Sequence, residues 1–339
     1  MLIGIAALSG IVIKPLIGNF LDSIGRKKCL IAGSIINIIA CIGYFWALPP
    51  NVSAYIVRIF HGFASGILFA SFFTYAVDII PPKRRSEGIA MFGISGMFGA
   101  AAAPPMAEKL IKLYGFNAVF SMMLIAGIAL FFIVLLVKDV EFQKSKVYFF
   151  KSIYNKNLTT IWFFTFIFGF GMSCYFSFMA TYGKFKGLDG VSTFFIFYSL
   201  TAVVIRIFFG KFPDKYGNFK ILLPSALIWI LGMILLSFAN SKAIMGICGV
   251  LTGTGHGYIF PILGSMCIAR TDVGTRGIIM SFFTALIDLG FLLGPIILGF
   301  LIDAFSYNVL FPSISIICAV GCGFFFIVER REFRAHIVK

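Results

Sequence analysis

Charged residues are scarce in this sequence of 339 residues: Asp, Glu, Lys and Arg make up 12% of it, and only 13 residues are acidic. Soluble domains carry about 25% charged residues. Hydrophobic residues make up 60%, including 43 Phe, which is more apolar surface than a globule of this length can bury. The composition therefore excludes a water-soluble globule, a disordered chain and a disulfide scaffold, and it predicts an all-α polytopic membrane protein.

The sequence also lacks the motifs of several catalytic and metal-binding classes. Its seven cysteines form no CxxC pair and no Cys/His spacing typical of zinc. No Walker sequence is present, which excludes an ATP-driven pump, and no HExxH or Ser/His/Asp arrangement occurs. The segment Gly253-Thr-Gly255-His-Gly257 lies inside an apolar run and predicts close helix packing rather than phosphate binding. We expect no enzymatic activity, no cofactor and no metal.

Long apolar runs dominate the sequence, and each exceeds the roughly 18 residues that a helix needs to cross a bilayer. We predict eleven such spans, with no cleavable signal peptide before them. They are residues 1–21, 29–48, 52–79, 87–110, 116–137, 157–183, 190–212, 219–240, 243–269, 277–301 and 307–328.

The net charge of +15 lies mainly between these spans. When the connections are assigned alternately to two sides, 20 Lys and Arg fall on one side and 5 on the other. Loops rich in Lys and Arg stay in the cytoplasm, so we expect a cytoplasmic C-terminus in the cell membrane. The lipid bilayer then explains the basic composition, and no nucleic-acid partner is expected.

The sequence repeats itself. Segments 14–28 and 206–220 share a cation, two glycines, an aspartate and a final lysine at an offset of 192. Gly62-xxx-Gly66 matches Gly253-xxx-Gly257, and Gly88-Ile-Ala-Met matches Gly277-Ile-Ile-Met, at nearly the same offset. Such self-similarity indicates two homologous halves. Because the second half has six spans and the first has five, we expect a helix before Met1 to be missing.

The repeat divides the chain into an N-terminal bundle, a central loop, a C-terminal bundle and a tail, and the loop and tail are expected in the cytoplasm. Their boundaries are 1–137, 138–156, 157–328 and 329–339.

The loop Gly18-xxx-Asp22-xx-Gly25-Arg26-Lys27-Lys28 resembles the G-x-x-x-D-x-x-G-[RK]-[RK] signature of the major facilitator superfamily. A degenerate copy lies at 210–217, where the family also repeats it. The resemblance covers essentially the whole chain. It implies two pseudo-symmetric six-helix bundles, of which helices 2–6 and 7–12 are present here, and a monomeric transporter of alternating access.

The resemblance also implies a conformational gate at this loop and its copy. Asp22 would face the N-terminus of the helix that begins at Arg276-Gly277, and Asp214 would face the helix that begins near Glu87-Gly88. A carboxylate is stabilised at the positive end of a helix dipole. Such contacts would lock the cytoplasmic side and break when it opens; the alternative is a simple turn with basic flanks. The expected gate residues are Gly18, Asp22, Gly25, Arg26, Asp214, Gly217 and Arg276.

Three ionisable residues inside spans are candidates for proton coupling, because charges in a membrane are costly and by default functional. Arg58, in Arg58-xxx-Gly62-xxx-Gly66, resembles a family pattern linked to proton coupling; it could instead be an interfacial arginine that reaches the surface. Asp288 lies near the middle of its span and suits a proton site. It could instead pair with Lys14 in a structural ion pair.

A second group of residues is predicted for the substrate cavity, which the family builds from helices 1, 4, 7 and 10. Arg206, the repeat partner of Lys14, has no obvious acid on the family's helix 5, where glycines occupy the corresponding positions. It is therefore a candidate for an anionic substrate group. Aromatic packing is the alternative for the remaining members. The cavity candidates are Tyr75, Tyr175, Tyr182, Arg206, His256 and Tyr258.

The direction of transport is predicted from two further patterns. The stretch 78–88 resembles bacterial drug-efflux branches, whereas the 87–110 span lacks the Gly-Pro pair of the family's antiporters. We therefore predict a secondary active transporter that exports a small organic solute against inward proton flow. The alternatives are an importer or uniporter of the same fold, and a non-transporting membrane receptor or inactive fragment.

Overall fold

The computed structural model describes residues 2–47, 52–140, 149–188 and 191–337, and every regular element in these ranges is a helix. This confirms the all-α prediction. The α-helices are α1 Leu2–Ile24, α2 Arg26–Gly43, α3 Val52–Ile79, α4 Arg85–Tyr114, α5 Phe116–Leu136, α6 Phe149–Ile153, α7 Lys156–Phe185, α8 Ser192–Val204, α9 Phe212–Tyr216, α10 Asn218–Leu236, α11 Lys242–Ala269, α12 Arg276–Phe305 and α13 Leu310–Ile337.

Ten helical stretches in the described part of the chain are long and apolar enough to cross a membrane. They coincide with ten of the eleven predicted spans. The remaining span, 87–110, forms the continuous helix α4, which is not among the ten.

The helices differ from the predicted spans and central loop at three places. The last helix continues nine residues past its predicted end, to Ile337, because 329–337 contains no Gly or Pro and is rich in good helix formers. A short helix, α6, lies in the predicted central loop; Lys144 and Lys146 of that loop lie outside the described residues. The predicted span 190–212 ends early, because α8 passes into a π-helical turn at Ile205–Phe209 before Gly210.

The chain forms two compact units. Unit 1 contains Met1–Ile79, Phe98–Tyr154 and Thr271–Ala285, and unit 2 contains Ile80–Met97, Asn155–Arg270 and Leu286–Lys339. Helix α4 begins in unit 2, and α12 begins in unit 1. The start of each of these two helices therefore groups with the opposite half of the sequence. The division into bundles 1–137 and 157–328 stays a prediction.

Glycines bring two helices of unit 1 into close contact. A Cβ at position 62 would collide with the Ala6 carbonyl oxygen, and one at position 66 would lie 2.7 Å from the Gly10 carbonyl oxygen. Only glycine allows backbones to approach this closely. Helices α1 and α3 therefore pack backbone against backbone.

The repeat-related pair in unit 2 packs in the same way. A Cβ at position 253 would collide with the Tyr198 carbonyl oxygen, and one at position 257 would lie 2.8 Å from Cγ2 of Ile205. Gly253 and Gly257 thus allow close contact of α11 with α8 and the turn that follows it, and Gly255 allows contact with Trp229 of α10. This confirms the prediction that the segment packs helices rather than binding phosphate.

Candidate functional site

The first copy of the repeated loop, in unit 1, places a carboxylate on the start of a helix. Asp22 is 1% exposed, and its carboxylate accepts hydrogen bonds from the backbone N–H groups of Gly277 (2.8 Å) and Ile278 (2.9 Å). These are among the first N–H groups of α12, which have no partner within their own helix. Gly25 has φ +102°, the left-handed region that glycine favours. The predicted contact of Asp22 is confirmed.

A network of charged side chains surrounds this contact. Arg26, which is 1% exposed, lies 3.5 Å from the Asp22 carboxylate, and its Nε donates to Asp78 at 2.7 Å. Arg276 donates to the other oxygen of Asp78 at 3.1 Å. Arg26 also donates to the Leu21 carbonyl oxygen at 2.7 Å. The Asp78 carboxylate, at the end of α3, therefore accepts hydrogen bonds from two arginines, Arg26 at the start of α2 and Arg276 at the start of α12.

Sequence reasoning predicted Arg26 and Arg276 as gate residues but gave Asp78 no role. A signal was present, because Asp78 is the only acid of its span and lies at the end with the basic loops. Its partners could not be inferred, since they are 52 and 198 residues away along the chain.

The second copy, in unit 2, repeats the backbone contact with different surroundings. Asp214 accepts hydrogen bonds from the N–H groups of Ser86 (3.0 Å) and Glu87 (2.9 Å) at the start of α4. Gly217 has φ +101°, as Gly25 has. The Ser86 hydroxyl donates to Asn218 at 3.0 Å. This predicted contact is also confirmed.

The only ion pair of this second copy, within the described residues, lies at the surface. Arg84 and Glu87 pair at 2.7 Å, with 67% and 24% of their side chains exposed. The hydrogen bonds that Arg84 donates to the Glu87 carboxylate raise the pKa of the Arg84 guanidinium above its usual value. Water competes for such a pair, so it adds little to stability.

Two candidate coupling residues lie in different units. Lys14, on α1 in unit 1, is 1% exposed, and its ammonium lies 5.9 Å from the centre of the Phe69 ring. Its carbonyl oxygen accepts a hydrogen bond from Ser281 at 2.6 Å. Asp288 is half-buried on α12 in unit 2. Their pairing, and a role of either residue in proton coupling, stay predictions.

The third coupling candidate has an aromatic partner. Arg58 is half-buried on α3, and its guanidinium carbon lies 5.4 Å from the centre of the Tyr44 ring. The Tyr44 hydroxyl is 2.6 Å from Nδ1 of His61. The three side chains form one cation–π and hydrogen-bonded group. Sequence reasoning missed Tyr44, which lies beyond the end of α2.

Arg206, the candidate for an anionic group, lies in the π-helical turn Ile205–Phe209 and is 2% exposed. The sequence has no acid at the corresponding positions, Gly96 to Gly99, and the guanidinium lies against Gly93, one turn earlier on α4. A Cβ at position 93 would collide with Nη1 and lie 3.0 Å from Cζ. This contact was not predicted from the sequence.

A half-buried histidine and two buried tyrosines of unit 2 form a hydrogen-bonded and aromatic group with Trp229. The Tyr198 hydroxyl bonds Nδ1 of His256, and Trp229 donates to the Tyr175 hydroxyl at 3.4 Å. The Tyr175 and Tyr198 rings meet edge to face at 5.5 Å. Tyr198 and Trp229 were not predicted. A signal existed for Tyr198, which lies two turns before Arg206 on the same helix.

The remaining cavity candidates have other surroundings. The Tyr182 hydroxyl donates to the Leu236 carbonyl oxygen at 2.7 Å, and the Tyr75 hydroxyl donates to the Lys138 carbonyl oxygen at 3.0 Å. Tyr258 is 8% exposed on α11. The bonds of Tyr182 and Tyr75 indicate packing roles, and a role of these three tyrosines in substrate binding stays a prediction.

A further ion pair of unit 2 was missed by sequence reasoning. Glu329, 4% exposed, receives two hydrogen bonds from Arg270, at 2.9 and 2.5 Å, and one from Thr160. Arg270 also donates to the Asn157 carbonyl oxygen at 2.8 Å. The pair joins the end of α11 to α13 and α7. Sequence reasoning assigned Glu329 to a tail, because the apolar run stops before it.

Comparison with known proteins identifies the family of this arrangement. The family model described as Major Facilitator Superfamily matches residues 1–227 and 161–337. The multi-drug resistance efflux pump PmrA of Streptococcus pneumoniae serotype 4 is 23% identical over 347 residues, which cover 95% of this chain and 84% of that protein.

Two solved structures share the fold. The human organic anion transporter MFSD10 (TETRAN) has a TM-score of 0.83 at 16% identity and covers 96% of this chain and 83% of its own. The Escherichia coli fucose:proton symporter FucP has a TM-score of 0.76 at 13% identity, with coverage of 97% and 90%. At these identities the likeness shows the fold alone.

Proposed function

The chain belongs to the Major Facilitator Superfamily, and from this premise we propose that it exports a small organic solute in exchange for protons. Family membership, together with the ten helices suited to a bilayer in the described part of the chain, makes the protein a multi-pass membrane transporter rather than an enzyme. Export, proton exchange and the nature of the solute are the proposal. We further propose a monomer in the cell membrane with its C-terminus in the cytoplasm, from the distribution of Lys and Arg.

The observation that carries the proposal is the pair of carboxylates on helix starts. Asp22 bonds the first turn of α12 within unit 1, and Asp214 bonds the first turn of α4 within unit 2. Both helices cross from one unit to the other along the chain. Contacts of this kind can hold one conformation closed and release it when a helix start moves away, which is the gating that alternating access requires.

Proton exchange is assigned in this proposal to Asp288. A half-buried carboxyl in the middle of a membrane helix can bind a proton and release it when its surroundings change. Lys14 and Arg58 are the other two candidates for proton coupling, because each is a cation placed inside an apolar span. Export rather than import is supported by the similarity to a bacterial efflux pump over 95% of the chain.

Inverted membrane vesicles test coupling and direction together. Vesicles are energised so that their interior becomes acidic, and a pH-sensitive dye reports the gradient. Two probes of opposite charge are added, ethidium and carboxyfluorescein. We expect one of them to enter the vesicles and dissipate part of the gradient. Probe movement without proton movement would indicate a uniporter, and proton movement with probe release would indicate an importer; either result contradicts the proposal.

Two variants of α12 make the test specific. Asp288→Asn removes the proposed proton site, so we expect the solute-dependent proton flux to be lost. Asp303→Asn removes the exposed aspartate of the same helix, and we expect wild-type flux. If both variants behave like the wild type, Asp288 does not carry the proton. If the wild-type protein moves neither probe nor any other solute, the receptor or inactive-fragment alternative is favoured.

A further inference from the structure

Arg206 is a buried cation whose hydrogen-bond donors have no partner in the described part of the chain. It is 2% exposed, and its Nε is fully enclosed without a hydrogen bond. No hydrogen bond or ion pair joins its guanidinium to another described residue. A guanidinium has five N–H donors and cannot lose its proton in a protein. The side chain therefore stays charged and unsatisfied.

This state differs from that of the other buried arginine of the repeated loops. Arg26 is equally enclosed, but it has the carboxylates of Asp22 and Asp78 within 3.5 Å. A charge removed from water without a partner is strongly unfavourable. A buried group of this kind in a folded protein calls for an explanation, and an ion or ligand that binds it is one.

The one aromatic contact of Arg206 does not supply that partner. Its guanidinium carbon lies 5.9 Å from the centre of the Phe260 ring. Such a contact offers attraction to the ring face but no acceptor for the N–H groups. The N–H donors of the Arg206 guanidinium therefore still lack an acceptor among the described residues.

The surrounding backbone holds the guanidinium in place. Gly93 has no Cβ, and any Cβ there would collide with Nη1. The π turn at Ile205–Phe209 widens the helix at Arg206 itself, and π turns of this kind frequently occur at functional sites. Two independent features, a missing side chain on α4 and a widened turn on α8, therefore accommodate one charged group.

A second polar pair lies on the same faces of the two helices that flank Arg206. His256 precedes Phe260 by one turn of α11, so the two side chains lie on the same face of that helix. Tyr198 precedes Arg206 by two turns, so these two side chains also share a face. Their side chains bond each other. His256 is half-buried.

We infer that Arg206 binds an oxyanion of the transported solute, a carboxylate or a phosphate, and that Gly93 is kept free of a side chain to allow it. The planar fork of a guanidinium matches these groups with two parallel hydrogen bonds. The inference deepens the proposed function, since it rests on the transport of a small organic solute and names its chemical class.

Direct binding tests the inference without transport. The full chain is placed in nanodiscs of phosphatidylcholine, and binding of benzoate, inorganic phosphate and the neutral control benzamide is measured by isothermal titration calorimetry. We expect saturable binding of at least one anion and none of benzamide. Arg206→Gln should weaken the anion by about tenfold or more, and Arg206→Lys, which keeps the charge but loses the fork, by less.

A matched pair of glycine variants separates an anion site from a structural arginine. Gly93→Ala pushes the guanidinium aside, and because Nη1 ends a flexible side chain, the fold should tolerate it. We expect anion binding to fall several-fold. At Gly96, one turn along the same helix, a Cβ would have no atom within 4 Å, so Gly96→Ala should bind like the wild type. The thermal unfolding midpoint of Arg206→Gln should equal or exceed that of the wild type, since an unsatisfied charge is removed.

Three outcomes would overturn the inference. The first is that neither anion binds the wild-type protein. The second is that both anions bind Arg206→Gln as well as the wild type. The third is that phosphatidylglycerol, added to the nanodiscs, displaces the anion from the wild type, which would assign Arg206 to a lipid headgroup. Anion binding that persists while the vesicle test finds no proton exchange would refute the proposed coupling alone.

Discussion

The two copies of the repeated loop make the same backbone contact with different electrostatics. In unit 1, Asp22 bonds two N–H groups at 2.8 and 2.9 Å; in unit 2, Asp214 bonds two at 3.0 and 2.9 Å. The first copy adds Arg26, Asp78 and Arg276 around its carboxylate, all of them largely buried. In the second copy, position 218, which matches Arg26, is Asn.

This comparison shows that helix capping and the buried charge network are separate features of the loop motif. Capping the start of a helix needs only a carboxylate and a glycine turn, and both copies retain these. A buried network of opposite charges is added in one copy alone, where each charge depends on the others for its solvation. We therefore expect the contact in unit 1 to be the stronger and the more sensitive to mutation.

Loss of Asp78 should have the largest effect. Asp78→Asn removes the charge shared by Arg26 and Arg276 and should lower the free energy of unfolding by about 3–5 kcal/mol, the usual cost of leaving buried partners without their counter-charge. The measurement is unfolding of the purified protein in detergent. A change of less than about 1 kcal/mol would mean that water replaces the carboxylate.

Of the two capping aspartates, Asp22 should contribute more to the free energy of unfolding than Asp214. Asp22→Asn should cost about 2–3 kcal/mol, since a buried carboxylate with two hydrogen bonds is neutralised, and Asp214→Asn about 1 kcal/mol, the worth of a charge at a helix start. Cys29, 2% exposed and three residues after Arg26, provides a second measurement. Its labelling by N-ethylmaleimide should rise in Asp22→Asn and not in Asp214→Asn. Equal effects of the two substitutions would contradict the expected difference between the two copies of the loop.

The glycines at the two helix starts should sharpen the comparison further. A Cβ at position 277 would lie 2.5 Å from Cβ of Leu21 and 2.7 Å from the Asp22 carboxylate; neither can move without α1, so Gly277→Ala should cost about 1–3 kcal/mol. The three atoms nearest to a Cβ at position 88 would be side-chain atoms of Ile80, with Cγ1 at 2.6 Å, and these can rotate away without a shift of the backbone. There the gain in helix propensity, up to about 1 kcal/mol, should offset the crowding. Thermal unfolding of both variants checks this, and a Gly88→Ala variant as unstable as Gly277→Ala would contradict it.

The exposed pair of the second copy should give the smallest effect. Glu87→Gln removes the ion pair with Arg84, but the backbone N–H of residue 87 still donates to Asp214. We expect no measurable change in the unfolding midpoint at high salt and a small decrease at low salt, because exposed pairs are screened. A decrease that persists at high salt would show that the pair supports the cap.

Sequence reasoning predicted the parts of this site that depend on local pattern. The glycine turns, the two aspartates and the helices they face could be read from the repeat and the family resemblance. Asp78, Tyr198 and the Arg270–Glu329 pair could not, because each is defined by a partner far away along the chain. The contact between Arg206 and Gly93 was not predicted either, since the two residues lie far apart along the chain.

The sequence by itself determined that this chain is helical, spans a membrane many times and consists of two related halves, because hydropathy and self-similarity are properties of the order of residues alone. Only the tertiary structure decided which charges are satisfied. In the sequence, Arg26 stands in a basic loop and Arg206 inside an apolar span, but the order of residues does not show that the first lies between two carboxylates and that the second has none among the described residues. The reason is physical: whether a buried charge is solvated depends on atoms within a few ångströms, and those atoms come from helices that the sequence order keeps far apart.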